Sequence, residues 1–102
     1  MVFFKLRASH LLVATEEEAI ELRKKIVEEG CNFAQVAKEV SLCPSKKNGG
    51  DLGYFTKDLM VKPFERVAFS MEIGEISEPV KTRFGWHLIY LTDKIKVRNF
   101  IE

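Results

Sequence analysis

The chain predicts an α+β domain built on a mostly antiparallel sheet, and three observations carry that prediction. Its 102 residues suffice for one domain with a modest core and are too few for two. Periodicity along the chain reads strand, two or three helices, strand, helix, strand, strand. Helices grouped in a block between strands belong to α+β folds, not to doubly wound ones that alternate strand and helix.

Each element has its own local reason. Lys5 to Val13 alternates as a strand, with Leu6, Ala8, His10 and Leu12 on one face and Arg7, Ser9, Leu11 and Val13 on the other. Thr15 and Glu18 form a capping box, and Ala19, Leu22 and Ile26 give the following helix its apolar stripe before Gly30 stops it. Asn32 caps a second helix lined by Phe33, Val36, Ala37 and Val40. Cys43 to Gly50 is turn-like, with room for one short helical turn, and Leu52 to Thr56 is a short strand.

Pro63 opens another helix, whose buried side is Phe64, Val67, Ala68 and Met71. Ile76 to Thr82 reads as a strand in which Pro79 marks an edge or bulge. Gly85 to Lys94 is the strongest strand, with Trp86, Leu88 and Tyr90 alternating against His87, Ile89 and Leu91, and the last eight residues are expected to fray. If the first and last strands are central neighbours, His10 and His87 project from one face.

Composition excludes several classes. Sixteen basic and 15 acidic residues, spread evenly, give a net charge of +1, so no nucleic acid or anionic membrane partner is expected. No apolar run reaches the length of a membrane span, and Lys5, Arg7 and His10 interrupt the N-terminus, so no signal peptide is expected. Two cysteines twelve apart make no disulfide framework, which favours reduced thiols in a cytosolic setting. A domain excised from an exported protein would read the same way. Nothing signals oligomerisation, so a monomer is the default.

The stretch CPSKKNGGDLGYF, residues 43 to 55, concentrates the chemistry. Cys43 with a histidine base would suit a cysteine hydrolase, although no oxyanion site is marked nearby. Cys31, Cys43, His10 and His87 could hold zinc, but neither cysteine belongs to a close pair. GGDLG lacks the spacing of a phosphate loop, and its glycines are better read as positive-φ turn residues. On pattern alone, a hydrogen-bonded core residue comes ahead of a catalytic one as the reading of either histidine.

Four separated motifs in order, ASHLLV (8–13), CPSKKNGGDLGYF (43–55), MVKPFE (60–65) and EPVKTRFGWHLI (78–89), make the chain resemble the parvulin-type peptidyl-prolyl cis/trans isomerases from Lys5 to Lys94. The resemblance implies a four-stranded antiparallel sheet flanked by about four helices, of the FKBP-like superfold. It implies that His10 and His87 are paired central-strand histidines and that Thr82 hydrogen-bonds within their network. Cys43 falls at an active-site position where aspartate also occurs. Leu52, Met60 and Phe64 match the pocket for the substrate proline ring, and Phe84 matches its rim.

The activity so implied is rotation about Xaa–Pro bonds in peptides and in unfolded or flexible protein segments, with no cofactor and no metal. A peptide-binding chaperone module with the same pocket is the alternative. Glu16, Glu17 and Glu18 stand where the phosphate-reading branch has basic residues, so independence of phosphorylation is expected. Phe84 and the missing basic cluster suggest an apolar residue before proline.

Overall fold

The longest ladder in the molecule joins its first and last strands. In a computed structural model, which describes residues 2–98, β1 (Val2–Val13) runs antiparallel to β4 (Gly85–Arg98), from Val2 opposite Arg98 to Val13 opposite Trp86. These two strands form the centre of a four-stranded antiparallel sheet of order β2-β1-β4-β3, with β2 at Asp51–Phe55 and β3 at Val80–Thr82. The expected α+β class and sheet are thus present. The flanking elements are three α-helices, α1 (Glu16–Val27), α2 (Phe33–Val40) and α3 (Lys62–Ser70), plus a 3₁₀ turn at Pro44–Asn48 in place of a fourth helix.

Capping follows the sequence. Thr15 Oγ1 accepts from the Glu18 N–H at 3.2 Å, and Asn32 Oδ1 accepts from the Gln35 N–H at 2.9 Å. Two boundaries differ from expectation. β4 continues to Arg98 without fraying, because β1 extends back to Val2 and supplies a partner at each step; residues 99–102 lie outside the described part. β3 is only three residues long. Before it, Pro79 offers no N–H, and the Ile89 N–H is taken by Ser77 Oγ at 2.9 Å.

Alternation along the central strands divides the core in two. Leu6, Ala8, Ile89 and Leu91 face α3, where Phe64, Ala68 and Met71 cover them. Leu11, Val13 and Leu88 face α1 and α2, where Ala19, Ile26, Phe33 and Ala37 close the second layer. Trp86 packs against this second layer, which accounts for its bulk beside His87: the two side chains belong to opposite faces. Cys31 is exposed.

Candidate active site

His10 stands opposite Ile89, and His87 opposite Leu12, so the two histidines are diagonal neighbours on one face of the central pair. Their rings stack at a centroid distance of 5.1 Å, and Nδ1 of one lies 2.9 Å from Nδ1 of the other. Both are buried, 5% and 4% exposed. Burial, then the neighbouring His87 ring, lowers the His10 pKa to about 4, and burial lowers that of His87 to about 4. Both imidazoles are therefore neutral at physiological pH.

Neutrality constrains the protons. Thr82 Oγ1 lies 2.7 Å from His87 Nε2 and accepts from the Phe84 N–H at 3.1 Å. If His87 Nε2–H donates to Thr82, then His10 Nδ1–H must donate to His87, and His10 Nε2 is a bare acceptor. If instead the Thr82 hydroxyl donates, every proton shifts one place and His10 Nε2 becomes a donor. That Nε2 is the buried side-chain atom without a hydrogen-bond partner among the described residues.

The loop bearing Cys43 is laced to β1 where β2 no longer pairs with it. Leu12 N–H donates to Ser41 Oγ at 3.0 Å, Leu42 N–H to the Leu12 carbonyl at 2.8 Å, and His10 N–H to the Gly50 carbonyl at 2.9 Å. Gly50 has φ of 86°, and a Cβ there would lie 2.2 Å from the His10 carbonyl oxygen. The turn and the close approach both demand glycine, which settles the reading of the glycine cluster. Cys43 Sγ accepts from Ser45 Oγ at 3.3 Å; neither imidazole is among its hydrogen-bond partners, so the hydrolase reading lacks its base.

These parts enclose a cavity of about 590 Å³. His10, Cys43, Leu52, Met60, Phe64, Phe84 and His87, all singled out in the sequence, line it. Thr82 does not; it stands behind His87, buried. Phe64 joins the apolar floor to the polar wall, its ring meeting His10 and His87 edge-on at 5.6 Å from each. Phe84 is 57% exposed at the mouth. Sequence reasoning missed Leu42, Leu59 and Arg83, which also line the cavity from turns where no periodicity marks them. Cys31 lines a separate groove with Phe33 and Tyr90, so the four residues of the zinc reading do not converge.

Comparison with known proteins identifies the family and the fold. The family model of rotamases, the PPIC-type PPIase domain, matches residues 3–93. The foldase protein PrsA of Geobacillus kaustophilus is 48% identical over 99 residues, covering 96% of this chain and 35% of that protein. A crystal structure of the peptidylprolyl isomerase PrsA from Bacillus anthracis superposes with a TM-score of 0.91 at 41% identity, over 96% of this chain and 45% of that one. The parvulin NmPin of Nitrosopumilus maritimus superposes at 0.80 with 46% identity, over 87% of this chain and 96% of that one. The chain spans about a third of the length of the curated foldases it matches. With the motifs, the sheet and the matched span in agreement, the chain belongs to the PPIC-type peptidyl-prolyl isomerase family, the parvulins.

Proposed function

We propose that this domain accelerates cis/trans rotation about Xaa–Pro bonds in flexible protein segments, by non-covalent stabilisation of the twisted amide. The barrier to rotation is about 18–20 kcal/mol, set by amide conjugation. A rate gain of ~10⁴ needs only about 5 kcal/mol, which differential binding can supply. No bond to the protein is required.

The observation that carries this reading is the meeting of an apolar cup with a neutral polar wall in one cavity. Leu52, Met60 and Phe64 would hold the pyrrolidine ring, a burial worth about 1.5–3 kcal/mol when complete. With the ring held, the preceding carbonyl turns against His10, His87 and Cys43. Uncharged imidazoles there neither attract a water shell nor oppose desolvation of the amide, and loss of carbonyl solvation disfavours the planar, charge-separated resonance form. The Cys43 sulfur, bonded to Ser45, acts as part of this polar surface and not as a nucleophile.

Substrates need no phosphate: Glu16, Glu17 and Glu18 open α1 just after β1 and are exposed, so they would repel a dianion. Of the two compartments consistent with the sequence, the foldase relatives favour the alternative, a domain of an exported foldase, over the cytosol.

Exchange spectroscopy on an unphosphorylated Xaa–Pro peptide with substoichiometric protein tests the proposal. Accelerated exchange is expected, with shift changes clustered at Leu52, Met60, Phe64 and Phe84. Binding without acceleration would replace it with the peptide-binding chaperone module.

A further inference from the structure

The cavity has one feature that ring capture and amide rotation leave unused. Among its lining side chains Arg83 alone carries a formal charge at neutral pH. It lies in the tight turn that joins β3 to β4, where Thr82 pairs with Gly85 and only Arg83 and Phe84 intervene. Its guanidinium lies 4.9 Å from the centroid of the Phe84 ring, a stacking contact that orders the side chain at the mouth.

Three other basic side chains have carboxylate partners: Arg7 with Asp51, Arg23 with Glu78, Lys62 with Asp58 and Glu65. Arg83 forms no salt bridge among the described residues. A cation held against an aromatic ring, with no carboxylate partner among the described residues and at the rim of a cavity whose other described lining is uncharged, is suited to an anion brought by the ligand.

The location of that anion follows from the proposed site, on which this inference rests. With the proline ring in the cup, the carbonyl of the preceding residue faces the wall formed by His10 and His87. Its Cα is one bond from that carbonyl, so its side chain leaves the wall toward the rim. The chain that leads from the wall to the rim is Thr82, Arg83, Phe84, which puts the guanidinium, held against the Phe84 ring, on that side of the mouth.

We infer that Arg83 is a specificity-determining residue that favours substrates with aspartate or glutamate immediately before proline. The apolar preference expected from Phe84 is modified accordingly: the ring receives the methylenes of a glutamate and the guanidinium its carboxylate. Glu16, Glu17 and Glu18 oppose any anion from the nearby end of β1, since the Val13 carbonyl lies against Gly85. They are exposed, so their field is screened by salt, with a screening length of about 8 Å at physiological ionic strength, whereas Arg83 acts in contact. Their repulsion grows with ligand charge, so a monoanionic carboxylate is favoured over a phosphate dianion.

The test compares peptides with glutamate, glutamine, lysine or phosphoserine before a single proline, by exchange spectroscopy and by chemical-shift titration. Glutamate is expected to exceed glutamine about two- to five-fold in kcat/KM, the range of an exposed ion pair, and the ratio should fall toward one in about 1 M salt. Arg83→Gln should bring the ratio to one, Arg83→Lys should keep most of it, and Arg83→Glu should reverse it in favour of lysine. A ratio of one or less in the parent protein, or one that survives Arg83→Gln, overturns the assignment, as does a phosphoserine peptide that outperforms glutamate. If no peptide is turned over, the isomerase reading fails on its own, and the affinity ratio from the titration still decides the role of Arg83.

Discussion

Acidification from pH 7 to pH 5 should destabilise the fold through the histidine pair. Each ring has an ordinary pKa of 6.5 that the folded state lowers to about 4. In that interval the unfolded chain binds more protons than the native one, so stability falls as pH falls. The contribution is full above about pH 6.5 and disappears as pH approaches 4. At pH 5 the unfolded histidine is almost wholly protonated and the native one almost wholly neutral, which costs about 2 kcal/mol per ring.

The pair should thus cost about 4 kcal/mol, a large share of the about 5–15 kcal/mol that stabilises a typical domain. Asp51, Asp58 and Asp93 have pKa values lowered from 3.8, chiefly by hydrogen bonds from Arg7, Lys62 and Tyr54, so their losses begin only at more acid pH. Urea unfolding at pH 7, 6 and 5, followed by the single Trp86, measures the slope. The imidazole resonances of the folded protein should stay in their neutral positions down to pH 5. A native ring that titrates near 6.5, or stability that is flat between pH 7 and 5, would refute the buried neutral pair.

Further outcomes follow from the same contacts. Gly50→Ala should cost more than about 2 kcal/mol, since a left-handed conformation and a clash with the His10 carbonyl add together, whereas Gly53→Ala, with φ of 73° and open space, should cost about 1–2 kcal/mol in parallel denaturation curves. Thr82→Val removes the oxygen shared by the Phe84 N–H and His87 Nε2, and should cost about 1–3 kcal/mol and change the ¹⁵N tautomer pattern of His87. Thr82→Ser, which keeps the hydroxyl, should restore that pattern.

Much of this site could be read before the fold was seen, for a physical reason. A period of two fixes which side chains share a sheet face, so once the first and last strands pair, His10 and His87 must share one. Pro63 and the apolar spacing behind it likewise bring Phe64 inward. What escaped lies in turns. Leu42 and Leu59 are 63% and 66% exposed and belong to the cavity only because the chain folds back there. Ser41 and Ser45 carry no periodic signal, yet one ties the loop to β1 and the other holds the Cys43 sulfur. β3 was overestimated because the apolar residues Ile76 and Val80 satisfy the strand pattern while Pro79 interrupts the ladder between them.

Comparing Met60→Ala with Cys43→Asp by exchange spectroscopy on one unphosphorylated Xaa–Pro peptide bears most directly on ring capture as the source of the rate. Truncating Met60 opens the cup and should slow exchange strongly, while an aspartate in place of the thiol keeps a polar wall and should retain most of the acceleration. If Cys43→Asp abolishes exchange and Met60→Ala leaves it unchanged, the rate arises from chemistry at the sulfur, and the non-covalent account is wrong.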